Sequence, residues 1–246
     1  MVRDDLGMHV ELPSRVRRVV SIVPSLTESI AATHRELLVG ATDWCTHPAD
    51  LDVVRVRGTK NPDVDLIRKL APDVVIANAE ENHDPDLAAL RDAGLPVWVT
   101  APTTVEQSLE SLRRMLSAIT GDVPGWLDEA REVWRPPYAG PRRRAVIPIW
   151  RRPWMALGRN TFAGDLLQRI GIDNVFADSA ERYPRIDPAA LPAYELVVLP
   201  DEPYAFSPDD GPEAFGERAV CVSGRHLTWY GPSLVEARDL LTGQLT

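Results

Sequence analysis

The strongest constraint on this chain is an order of elements that occurs twice at long range. The stretch "DLIRKLAPDVVIANAEEN" runs helical pattern, tight turn, aliphatic strand and acidic end, and "DPAALPAYELVVLPDEPY" repeats that order in the second half. Leu196 lies 123 residues beyond Asp73 and Ala219 lies 122 beyond Val97. Two copies are too few for a solenoid, so the spacing points to a duplicated lobe.

Short aliphatic runs alternating with helical patterns are the mark of parallel-sheet α/β architecture, because strands covered on both faces read as continuous Val, Ile and Leu. Strands are expected at 17–23, 36–41, 73–78 and 96–101, then at 144–150, 195–200 and 219–223. Between the sets, "TTVEQSLESLRRMLSAITG" spaces Val105, Leu109, Leu112, Leu116 and Ile119 along one helical face. Thr103 with Glu106, or Thr104 with Gln107, forms a capping box, and Gly121 ends the helix. A second helix is expected from Pro124, carrying Trp126, Leu127, Ala130 and Val133 up to the break at "RPPYAGP". The expected domains are therefore an N-terminal α/β lobe over 1–102, a helical linker over 103–138 and a C-terminal α/β lobe over 139–246. A helical connection favours a stiff hinge with a cleft between the lobes.

Composition narrows the function. A length of 246 residues, 44% hydrophobic and 26% charged, is that of a soluble globular protein. The net charge of -9 excludes a nucleic-acid backbone as partner, since phosphate contacts need clustered Lys and Arg. The basic runs Arg15–Arg18 and Arg142–Arg144 are expected as solvated flanks of strands. No secretory signal, lipobox or membrane-spanning run is visible, so as it stands the sequence reads as cytoplasmic, without membrane insertion, and as periplasmic or extracellular if a leader has been trimmed from it. Cys45 and Cys221 have no metal-ligand spacing, and Cys221 is expected as a small core residue.

Nucleotide-binding glycine motifs and a hydrolase nucleophile elbow are absent, so no catalytic residue is assigned. "SIVPSLTESI" puts Ser25 and Thr27 where a strand gives way to a helix, either as an ordinary N-cap or as an anion-facing N-terminus. Aromatics gather at strand exits: Trp44 with His47, Trp150 with Trp154, and Trp229 with Tyr230. In open α/β sheets ligands bind beyond the carboxyl ends of strands, and rings there suit a planar or bulky organic ligand. The alternative is that the rings cap each lobe's core. Lys60, Arg151 and Arg152 lie in Gly- and Pro-containing loops and could meet anionic oxygens, or be surface charges.

The segments "RVVSIVPSLTESIAA" with "LLVGATDW", "NPDVDLIRKLAPDVVIA", "LRDAGLPVWV", "DLLQRIGIDNVF" and "YGPSLVEARDLL" resemble, in order and over nearly the whole chain, the helical-backbone substrate-binding proteins that deliver cobalamin, haem and ferric siderophores to ABC importers. "GTKNP", "ANAEEN", "IWRRPWMALG", "LPDEPY" and "HLTWYGP" are similar to the branch called helical backbone metal receptors. The resemblance implies two pseudo-symmetric lobes with central, mostly parallel sheets, a long backbone α-helix joining them and a ligand cleft between the lobes. It also implies docking on a permease through one acid per lobe; Asp65 matches the first position and Thr228 stands at the second. Cobalamin-binding members place an aromatic at the end of the third strand, where this chain has Asn78 followed by Glu80, Glu81 and Asn82. That departure suggests a more polar ligand, or one bearing a metal or cationic groups; the missing signal and acid suggest a relative that has left transport.

Three functions follow as expectations. The first is a non-catalytic protein binding a metal chelate or a corrinoid- or siderophore-like compound. Its contacts would be Ser25, Trp44, His47, Lys60, Asn61, Glu80, Glu81 and Asn82 from one lobe, with Trp150, Arg151, Trp154, Asp201, Glu202, Tyr204, His226 and Trp229 from the other. The second is direct metal coordination by Glu80, Glu81, His83 and Glu202, a donor set suited to Mn, Fe or Zn. The third is a cytosolic enzyme acting on a cofactor, with those carboxylates as general acid and base.

Overall fold

In the computed structural model, which describes residues 2–216 and 219–245, the chain forms two compact units. Met1–Pro102 with Ser108–Asp128 make the first, and Thr103–Gln107 with Glu129–Thr246 make the second. The helices between the two sheets are thus shared out between the units.

The first unit holds five parallel strands, ordered across the sheet as Val54–Arg55, Leu38–Ala41, Val19–Ser21, Val74–Asn78 and Val97–Thr100. Val19, Val20, Val74, Val75 and Ile76 are wholly buried. Helices on both faces of a parallel sheet demand this: β-branched side chains pack well on the pleat, and each contributes about 1.5–3 kcal/mol by leaving water. From the central strand Val19–Ser21 the chain first works outward to one edge, then returns and works toward the other. The reversal falls between Val19–Ser21 and Val74–Asn78, which makes their carboxyl ends a topological switch point.

Helices α1 (Pro24–His34), α2 (Val64–Leu70) and α3 (Asp84–Asp92) supply crossovers. Asp63 caps α2 by accepting from Leu66 N–H at 3.0 Å, and Ala71 ends it at φ 46°. Arg18 then donates to the terminal carbonyl of Leu70, at 2.6 Å from Nη2. The basic runs therefore do more than flank strands. Arg142 similarly grips Asp173 through Nε at 2.9 Å, and Arg143 donates to the Leu245 carbonyl at 2.6 Å.

The second unit holds four parallel strands in the order Ile172–Asn174, Arg143–Val146, Leu196–Pro200 and Ala219–Val222. Its switch point lies between Arg143–Val146 and Leu196–Pro200. The expected strand at 144–150 divides after Val146, and Pro148–Trp150 pairs antiparallel with Met155–Ala156 instead. Pro148 has no N–H to give a continuing ladder, which is the physical reason for the break. Strands at Val74 and Leu196, and at Val97 and Ala219, begin 122 residues apart in both cases.

Helix α4 (Val105–Thr120) opens with Thr104 Oγ1 accepting from Gln107 N–H at 3.1 Å, while Gln107 Oε1 accepts from Thr103 N–H at 2.9 Å. Its first N–H, on Val105, also donates to Asp165 Oδ2 at 2.8 Å. Gly121, at φ +81°, terminates it as its sequence position requires. The five expected apolar residues are buried, and Ser108, Ser111 and Met115 join them, so the covered face is broader than one stripe. Helix α5 (Gly125–Trp134) buries Leu127, Ala130 and Trp134, with Trp134 Nε1–H donating to the Leu234 carbonyl at 2.8 Å. Among the described residues no helix is long and apolar enough to cross a membrane.

Candidate functional site

Two strand-end regions, one in each unit, hold most of the expected residues. In the first unit, Val74–Asn78 is buried throughout and ends on two amides that build the following turn. Asn78 Oδ1 accepts from the N–H groups of Glu80 and Glu81 at 2.8 and 3.0 Å, and its Nδ2 donates to the Thr100 carbonyl at 3.0 Å. Asn82 Oδ1 accepts from Asn78 N–H at 2.9 Å, and its Nδ2 reaches the carbonyls of Thr59 at 2.7 Å and Ile22 at 3.3 Å. Asn82 is 3% exposed. A buried amide with donors and acceptor all committed ties loops together, so we assign Asn82 a structural part, in place of the ligand contact expected from sequence. Glu80 and Glu81 are exposed on the turn those amides fix, and His83 is exposed just ahead of α3.

The start of α1 differs from the expected polar cap. Its N-cap residue is Val23, with no side-chain cap bond. Ser25 is buried, and Thr27 Oγ1 faces inward, 2.8 Å from Ser21 Oγ, 2.9 Å from the Val23 carbonyl and 3.0 Å from Cys45 Sγ. Burial pushes the Cys45 thiol pKa up. Trp44, by contrast, is 66% exposed. It stands beside the hairpin Arg57–Gly58 and Asn61–Pro62, where a methyl at Gly58 would collide with the Asn61 amide and lie 3.5 Å from Trp44 Nε1. Lys60 is exposed at the hairpin tip, and half-buried His47 sets Nδ1 3.1 Å from Thr46 Oγ1.

In the second unit an aromatic ladder runs outward from the core. Trp154 meets Phe215 edge-on at 4.9 Å and lies parallel to Phe206 at 5.9 Å. Phe206 meets Tyr204 at 4.6 Å, and Tyr204 meets Trp150 edge-on at 5.5 Å with planes 79° apart. Trp150 is 44% exposed and forms the open end. Arg151, expected as a ligand cation, is instead paired with Asp210 and, at 2.7 Å, with Glu213, its guanidinium 5.7 Å above the Trp154 ring. A cation so neutralised has little left to offer an anion.

The acidic end of Leu196–Pro200 is held from behind. Asp201 Oδ1 accepts from Gly224 N–H at 2.5 Å, and Glu202 Oε2 accepts from Trp229 Nε1–H at 2.7 Å. Burial raises the Glu202 pKa, and neighbouring Asp201 adds to that against the Trp229 hydrogen bond. Gly224 permits the approach, since a Cβ there would stand 2.6 Å from Glu202 Cβ. Trp229 and His226 are both buried. His226 links helix α6 (Gly224–Thr228) to α7 (Leu234–Leu245), with Nδ1 2.7 Å from Ser223 Oγ and Nε2 2.9 Å from Glu236 Oε1. Both side chains support the site from within and offer a ligand little surface.

The structure thus brings Trp150 to Tyr204 and Glu202 to Trp229, and sets Trp44 beside Asn61. Phe206, Asp210, Glu213 and Gly224 belong to the same assembly and were not expected; only the Gly directly after "AVCVS" gave a sequence signal, as a close approach of backbones. Two hollows in the second unit, of about 390 and 360 Å³, lie elsewhere. Thr103, Arg159 and Asn174 line one, Trp134, Tyr138 and Arg142 the other, and no expected ligand residue lines either. Among the described residues no three His, Cys, Asp or Glu side chains gather as a metal ion would need, and Glu80, Glu81 and His83 form no such group. Both cysteines are free thiols.

No protein-family model matches the chain. It is 23% identical to a vitamin B12-binding protein of Pectobacterium carotovorum over 253 residues, covering 94% of this chain and 88% of the relative. The periplasmic haem-binding protein BhuT in complex with two haems superposes with a TM-score of 0.74 at 22% identity, over 93% of this chain and 97% of the other. Helicobacter pylori CeuE with Ni(II) bound gives 0.79 at 16% identity, over 99% and 88%. These structures share the fold while holding different ligands, haem in one and Ni(II) in the other, so the fold by itself does not select one. With the element order expected from sequence and a likeness running nearly end to end, the chain is similar in sequence to vitamin B12-binding proteins and shares the bilobal α/β fold of the periplasmic binding proteins it superposes on.

Proposed function

We propose that this chain is a non-catalytic binding protein for a small ligand, a metal chelate or a corrinoid- or siderophore-like compound, held by side chains at strand ends. The observation that carries the reading is that the strand ends of each unit carry both an exposed ring and acids: Trp44, Glu80 and Glu81 in one, Trp150, packed on Tyr204, with Asp201 and Glu202 in the other. Rings supply contact area at low conformational cost, and acids give orientation and selectivity. The relatives, named for vitamin B12, haem and Ni(II), support the class. Titrating the protein with cobalamin, haemin and a ferric siderophore while following tryptophan emission tests it. Saturable quenching by one of them agrees; no response from emission or melting temperature to any of them removes the reading.

The finer reading is that the chain has left ABC import. Asp65 is exposed in the first turn of α2, 3.5 Å from Arg68, but Thr228 gives no charge and turns its hydroxyl to the Gly224 carbonyl at 2.9 Å. A reconstituted vitamin B12 importer whose ATPase rate ignores the loaded chain would agree; stimulation would overturn it.

A further inference from the structure

Resting on the binding reading above, we propose that the corner between Trp150 and Tyr204 takes the positively charged nitrogen of an organic cation, a substituted ammonium group, with Glu202 as its counter-charge. The rings stand 79° apart with centroids 5.5 Å from each other, two walls of a cage with one wall exposed. Ring faces carry negative potential, and cations desolvated against two such faces are held without a directed hydrogen bond. Glu202 precedes Tyr204 by two residues in the same loop. Its Oε2 is fixed by Trp229, and its Oε1 has no hydrogen bond within the described residues. One ring further in, the protein fills the equivalent position with its own cation: Arg151 lies over Trp154, flanked by Asp210 and Glu213. No guanidinium of the described residues lies over Trp150 in that way. Arg225 acts on the Glu202 carboxyl through its charge and also pairs with Glu236 at 3.4 Å. Arg151, which interacts with Tyr204, is neutralised by Asp210 and Glu213; an aromatic face with no guanidinium over it and a fixed carboxylate together select positive charge, and disfavour a carboxylate- or phosphate-bearing group at this end.

The probes are choline and 3,3-dimethylbutan-1-ol, which has the same shape without the charge. The Trp150 indole N–H resonance, assigned through Trp150→Phe, is followed during titration of the full chain. Choline is expected to shift it saturably, with the neutral alcohol about tenfold weaker or more, and with Glu202→Gln weakening choline several-fold. Equal binding of the two probes overturns the proposal, and so does the absence of a choline response. If cobalamin, haemin or a siderophore binds while choline does not, this inference fails and the binding reading stands. If none of them binds, both fail. The comparison of probes uses the unmodified protein, so it holds even if a variant folds poorly.

Discussion

Trp229 and Glu202, 27 residues apart, meet at 2.7 Å, with the indole N–H donating to a carboxylate oxygen that burial would otherwise leave poorly solvated. The pair fixes the acidic end of Leu196–Pro200 in position. It also sets a pH dependence. A carboxyl whose folded pKa is raised costs nothing while both states are protonated, and its cost grows as pH climbs from the ordinary value near 4.5 through the folded value. Glu202→Gln keeps an acceptor for Trp229 and removes that cost. The variant should therefore be more stable than the parent at pH 7, with the gain vanishing below about pH 4; urea unfolding at the two pH values measures it. A gain independent of pH would contradict the assignment.

Asn82→Ala removes the amide that joins Asn78, Thr59 and Ile22. Buried groups left unpartnered cost about 1–3 kcal/mol each, and solvent entering the gap recovers part of that. A loss of about 2–4 kcal/mol in denaturant unfolding is expected. A loss under about 0.5 kcal/mol would mean that the amide is a surface group free to serve a ligand.

At Gly224 any side chain meets the Glu202 backbone and Cβ. Gly224→Ala should cost about 1–3 kcal/mol by overpacking and should move Glu202 off its Trp229 partner. Thermal unfolding reads the first effect, and a shift in the Trp229 indole N–H resonance reads the second. An unchanged resonance would show that the loop yields elsewhere.

His34 sits between Glu36 and Asp122, each at 2.9 Å. The Asp122 hydrogen bond, followed by that of Glu36, raises its pKa above 6.5. Its contribution is complete below the unfolded value and is lost as pH rises through the raised one. NMR titration should place His34 above 6.5 in the parent, lower in Asp122→Asn. Identical titrations would remove the clasp.

How much of this was legible in the sequence varies by element. Val74–Asn78 and Leu196–Pro200 announced themselves because burial on both faces leaves an aliphatic run of four residues ahead of the closing Asn78 and Pro200. Helix α4 was readable from its 3–4 spacing and its Thr and Gly ends, all local signals. What decides the site is not local. Asn82 looks like a polar loop residue until Thr59 and Ile22 arrive around it, and Arg151 looks free until Asp210, 59 residues away, is folded against it. Ser25 had the residue type of an N-cap, but helix α1 begins one step earlier, at Pro24, which leaves Val23 in the cap position. The aromatic positions at strand exits were visible; that Trp229 is a support and Trp150 a surface depends on packing that no spacing encodes.

The central claim is that exposed rings at the strand ends hold a small ligand. Calorimetric titration of cobalamin, haemin and a ferric siderophore into the parent and into the double variant Trp44→Ala, Trp150→Ala tests it most directly. Both rings are exposed, so the variant should keep its melting temperature within a few degrees. The account predicts saturable binding of at least one compound by the parent and a loss of about tenfold or more in the double variant. Equal affinity in both proteins, or heats that never saturate in the parent, would contradict it.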